Sequence, residues 1–165
     1  MLQTKYKLME IVYDGLIAGL LSTIVMTLFE ILFWKYWGIT GILEWHENEV
    51  LVSKSIEKIR KIKYNKTNYF GIFLLHIING SLAAIVFPFV FIFFKSIFKQ
   101  DILFSIILGI IYGIVLWLLT LYPIHKPITG LSIIGHPLGK GPMIISICGH
   151  LLYGITLGIF VYILI

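Results

Sequence analysis

"PMIISICGHLLYGITLGIFVYILI", residues 142–165, carries no Asp, Glu, Lys or Arg, yet it holds His150, followed by Gly154 and Gly158. A helix rises about 1.5 Å per residue, so a run of this length crosses a hydrocarbon core about 30 Å thick. Three more such runs precede it, at about 11–37, 69–94 and 102–122. In lipid the backbone must satisfy its own hydrogen bonds, and the two-residue alternation of a barrel strand is absent, so all four runs are predicted helices. Composition agrees: of 165 residues 59% are hydrophobic and 13% charged, with mean hydropathy +0.97, whereas about a quarter of residues are charged in soluble domains. The fold class is therefore all-α: an integral membrane four-helix bundle, one transmembrane domain over 1–165, with a polar loop at 38–68 and a Pro/Gly-rich loop at 123–141.

A second stretch, "LHIINGSLAAIV" at 75–86, repeats the offset of histidine and glycine, with His76 and Gly80 standing as His150 and Gly154 do. This suggests two repeated helix hairpins related by an axis along the membrane normal. Each span also holds a pair of small residues four apart: Gly15 and Gly19, Gly80 and Ala84, Gly109 and Gly113, Gly154 and Gly158. Such pairs let helix backbones approach closely where apolar area alone gives no driving force.

The net charge of +5 reflects membrane topology and calls for no nucleic acid. Lys54, Lys58, Arg60, Lys61, Lys63, Lys66, Lys126 and Lys140 fall in the two longer loops; Lys5, Lys7, Lys95 and Lys99 fall on the other side. Eight against four places the longer loops in the cytoplasm of a multi-pass protein of the cell membrane. The first run is too long for a signal peptide and ends in "FWKYWG", with no small-residue cleavage site, so it is expected to be retained. The lone Cys148 excludes an intrachain disulfide.

Within 38–68, "VSKSIEKIRKI" suits either a short surface helix or a solvated basic loop. The "EWHENE" segment around His46 reads as solvated and acidic, and His125 and His136 as interfacial. Trp34, Trp37, Trp45, Tyr69 and Tyr122 fall where an aromatic belt is expected. The prolines of 123–141 argue against a regular helix there.

Depth singles out three polar side chains. Glu30 lies near the end of the first run, His76 near the start of the second and His150 near the start of the fourth. Because alternate helices run in opposite directions, all three fall about 10–12 Å below one surface. An ionisable residue there costs about 2.5–3.5 kcal/mol and is a functional hypothesis by default. Thr27, Asn79 and Tyr122 are placed to orient them.

The segments "GLIAGLLSTIVMTLFE", "LLHIINGSLAAIVF", "GIIYGIVLWLLTLYPIHKPITG" and "GHLLYGITLGIFVY" resemble the YagU-like inner-membrane proteins of bacteria and archaea. The resemblance implies the four-helix fold. It also implies an acidic residue closing the first helix at Glu30, histidines at His76 and His150, and a proline closing the third helix at Pro123. It matches nothing in 39–67, and it names no reaction.

Several functions fit Glu30, His76 and His150. Two imidazoles and a carboxylate could bind Fe or Zn with open positions. They could instead bind a small solute or relay protons; four spans would then imply a homo-oligomer or a subunit of a larger membrane complex. His76 and His150 alone could hold haem b, each glycine one turn on leaving room for the macrocycle. A structural accessory subunit is the fourth alternative. Lys140, just before the fourth helix, could hold an anion or a lipid headgroup.

Overall fold

The computed structural model describes residues 8–64, 66–95, 97 and 101–165, and every regular element among them is helical. Lys5, Lys7 and Lys99, used in the charge count above, lie outside the described residues. The elements are α1 (Leu8–Trp37), a 3₁₀ turn (Ile39–Gly41), α2 (Leu43–Arg60), α3 (Tyr69–Ala83), α4 (Val86–Lys95), α5 (Ile102–Leu116), a π-helical turn (Trp117–Leu121), α6 (Tyr122–Thr129) and α7 (Gly141–Leu164). Four stretches are long and apolar enough to cross a membrane: Leu8–Trp37, Tyr69–Lys95, Ile102–Thr129 and Gly141–Leu164.

Proline sets the breaks in the middle two spans. Pro88 has no N–H for the Ala84 carbonyl four residues back, and its ring would collide with it. The chain accordingly turns between α3 and α4, and the Phe87 N–H donates to the Ala84 carbonyl at 3.0 Å. Pro123 likewise cannot bond the Leu119 carbonyl. Just before it the helix widens into the π turn, where the Tyr122 N–H donates to the Trp117 carbonyl.

That widening corrects one expectation. Residues 123–129 continue the third span as α6 and are not loop: the π turn accommodates Pro123, and Pro127 is carried inside the helix. Gly130, at φ 79°, ends α6 in the left-handed region that suits glycine.

Glycine decides how closely the spans pack. α5 packs on α7, α7 on α1, and α1 on α3. A Cβ at Gly109 would strike the Gly154 carbonyl, and one at Gly154 would strike the Gly109 carbonyl. The Ser105 hydroxyl donates across the same interface to the Gly158 carbonyl at 2.7 Å. In the other hairpin Gly19 meets Ser81 and Ala84, and Gly80 meets Thr23. Both histidine-bearing helices are thus drawn in by the glycine one turn after the histidine.

The 38–68 segment is mostly α2, whose second half is the exposed surface helix expected there, with Lys54, Lys58, Ile59 and Arg60 exposed, while its first half is buried. Leu43 and Trp45 are fully buried and Asn48 nearly so; Trp45 packs at the ends of α1, α3 and α7 with Ile42, Ile72 and Ile145, and Leu43 packs with Trp117, Leu121 and Ile133. Trp45 therefore belongs to the core and not to an interfacial belt, and the acidic segment around it is not solvated. α2 contacts both α3 and α6, and the Lys54 ammonium donates to the Ile128 carbonyl at 3.1 Å. α2 and α6 consequently meet at one end of the bundle.

Candidate functional site

Two carboxylate–histidine pairs sit beneath α2. In the first, Glu30 of α1 is fully buried, and its Oε2 accepts from the Trp45 indole N–H at 2.7 Å. His76 Nε2 lies 3.8 Å from that oxygen, and its ring stacks on Trp45 at 4.6 Å. Neither Glu30 Oε1 nor His76 Nε2 has a hydrogen-bond partner among the described residues. Gly149 leaves the space that Glu30 Oε1 occupies on the α7 side.

In the second pair, His150 Nδ1 is 3.0 Å from the Ser146 carbonyl and 3.2 Å from Glu44 Oε1. Both are acceptors, so Nδ1 carries a hydrogen and Nε2 keeps the lone pair of the neutral ring. The Ser146 hydroxyl donates to the same Glu44 oxygen and accepts from the Trp117 indole N–H at 2.9 Å. Burial pushes the Glu44 carboxyl up, but the hydrogen bonds from His150 and Ser146 outweigh it and hold the group below its ordinary value.

One turn along α2, Glu47 Oε1 is 3.0 Å from Nδ1 of the fully buried His125. The His125 ring lies 5.8 Å from that of His46 and 6.4 Å from that of His136. The Leu138 N–H donates to His136 Nδ1 at 3.2 Å, which leaves the hydrogen of its neutral ring on Nε2. Burial lowers the pKa of both His46 and His136, and the neighbouring His125 lowers it further.

These groups surround a cavity of about 340 Å³. Glu44, Glu47, His76, Asn79 and His150 line it, with Thr23 and Asn48 beside them. His76 and His150 thus share one cavity, while Glu30 stands behind Trp45 and outside its lining. Asn79 donates to the Asn48 side-chain oxygen at 3.3 Å. Thr27 is buried, its hydroxyl without a partner among the described residues. Tyr122 is half exposed against Trp117 and does not line the cavity, because the π turn rotates it outward. Lys140 is exposed at the start of α7.

The partner of His150 is Glu44 and not Glu30, and this changes the chemistry available. Among the described residues no three His, Cys, Asp or Glu side chains come together in a way that could hold a metal ion. The room for a haem beside the two histidines is filled: Thr23 packs on Gly80, and Gly109 and Ile110 pack on Gly154. Hydrophobicity hid Glu44 and Glu47, because sequence reasoning followed the apolar runs. A signal was nonetheless present, since Glu44, Glu47, Asn48 and Leu51 follow the three-and-four spacing of one helix face. Compared with known protein families, curated proteins and solved structures, the chain matches none.

Proposed function

We propose that the protein binds a small solute in the intramembrane cavity and exchanges a proton with it. The observation that carries this reading is the fork at His150. Its Nδ1–H is held between Glu44 and the Ser146 carbonyl, so the ring's lone pair at Nε2 is left to take a proton while Glu44 stabilises the resulting cation. Glu30 and Trp45 hold His76 on the cavity's other wall. The unpaired nitrogen of His76 supports the same reading, since an orphaned buried polar atom is costly unless something can meet it.

The eight loop lysines and arginines favour the cell membrane with the α2 end in the cytoplasm. Solute movement by four spans would call for a homo-oligomer or a larger membrane complex. The YagU-like resemblance belongs to the same proposal and adds no chemistry to it.

A thermal-shift panel of small amines, alcohols and carboxylates, run in detergent at two pH values, tests the reading. At least one class is expected to raise the melting temperature of the wild type by a pH-dependent amount, and Glu44→Gln and His150→Ala are expected to abolish the shift. A panel in which no class raises it, or in which both variants respond as the wild type does, overturns the reading.

A further inference from the structure

Glu44, Glu47, His76 and His150 line the cavity together with the aliphatic side chains of Leu51, Leu116, Leu121, Ile124 and Ile128. It also reaches the side of the bundle. α3 packs on α1 and α2, and α5 packs on α7. Between them, Asn79 and Ala83 of α3 line the cavity opposite Leu116 and Thr120. Asn79, Thr120 and Ile124 are at the same time exposed on the outer surface.

All three exposed rim residues belong to the membrane-spanning stretches, so the opening faces acyl chains. Beyond it the gap closes, where the Tyr112 hydroxyl donates to the Ala83 carbonyl and its ring packs on Phe87 at 5.2 Å.

Charge narrows the occupant further. Two carboxylates line the cavity and, among the described residues, no lysine or arginine does. A carboxylate or phosphate head would meet the ionised Glu44 with no lysine or arginine to offset it. A wholly apolar molecule would leave the carboxylates and histidines unpaired in low dielectric.

Resting on the solute-binding reading above, we infer that the occupant is a membrane-dissolved amphiphile with a protonated amine head. The head lies among Glu44, Glu47 and His150, and the single apolar tail leaves between α3 and the π turn into the bilayer. The aliphatic wall receives the first part of the tail. The π turn shapes this gap, because it widens the helix where Leu116, Thr120 and Leu121 meet the cavity.

The test is equilibrium binding to phosphatidylcholine nanodiscs holding the full chain, corrected for empty discs, with three radiolabelled probes. Dodecylamine is expected to bind saturably, and propylamine and dodecanoate at least about tenfold more weakly, as the lost tail contacts and the reversed charge require. Thr120→Phe, at the exposed rim where folding is little affected, is expected to weaken dodecylamine by about fivefold or more. Glu47→Gln should weaken it as well.

Propylamine binding as tightly as dodecylamine, with Thr120→Phe silent, overturns the side opening while the solute reading stands. Equal binding of dodecanoate overturns the amine head. No saturable excess for any of the three overturns the inference as a whole, and the thermal panel then decides the solute reading separately.

Discussion

Glu47 joins the two groups of titratable side chains. It faces Glu44 on its own helix, His125 across from α6 and His150 across from α7, and it lines the cavity. Burial pushes its carboxyl up to about 8, Glu44 adds to the rise, and His150 opposes it. The folded protein therefore holds this proton more tightly than the unfolded chain does. The stability it contributes is full below the ordinary value of 4.5 and is lost as pH rises through about 8. Melting temperature in detergent is expected to fall across that window and to level off above it, and Glu47→Gln should flatten the slope. A wild-type profile that is flat between those values, or a variant with the same slope, would refute the assignment. Trp45 acts at the same scale: one indole donates to Glu30, stacks on His76 and fills the centre of an apolar cluster, so a residue that composition assigns to the membrane surface supports the buried pair.

Among the elements, the α5–α7 contact is built on glycines that face carbonyl groups of the opposite helix. A methyl at Gly109 meets backbone that cannot rotate away, so Gly109→Ala must push the helices apart. Overpacking of this kind costs about 1–3 kcal/mol. The expected result is a clear loss of resistance to SDS denaturation, whereas Ile111→Ala on the lipid-facing side, where Ile111 is 52% exposed, should change little. Equal effects of the two substitutions would show that the glycine contact is not what holds the hairpin together. The proline breaks act differently. Pro88 turns α3 away from α4 without leaving the bilayer, and Pro123 follows a π turn that brings Leu121 inward while Tyr122 faces out.

For the whole molecule, α2 closes one end of the bundle and the polar groups lie directly beneath it. The Lys54 bond to the Ile128 carbonyl ties α2 to α6 at that end. On the orientation proposed above, with this end in the cytoplasm, a tag joined to Ile165 should lie outside. A reporter fused there that fluoresces only in the cytoplasm is expected to stay dark. Bright fluorescence would invert the orientation, and the α2 end of the bundle would then lie outside.

Apolar length by itself determined the all-α class and the four spans, because a bilayer admits few ways to satisfy a backbone and each run is long enough to cross it. The glycine spacing was equally legible, since small residues four apart mark a helix face whatever that face meets. Even the shared depth of Glu30, His76 and His150 could be counted from the span ends. What only the tertiary structure decided was partnership. His150 and Glu44 are distant in the chain, and they meet because α2 folds back against the end of the bundle, where Trp45 bonds Glu30 and Glu44 reaches His150. Depth along a helix follows from counting residues, but the direction of a side chain depends on which neighbour covers that face. Here the covering element is a polar segment whose composition describes a solvated loop, and its first half is buried because Trp45 fills an apolar floor left by the ends of α1, α3 and α7, and Leu43 packs on Trp117 and Leu121 of the π turn.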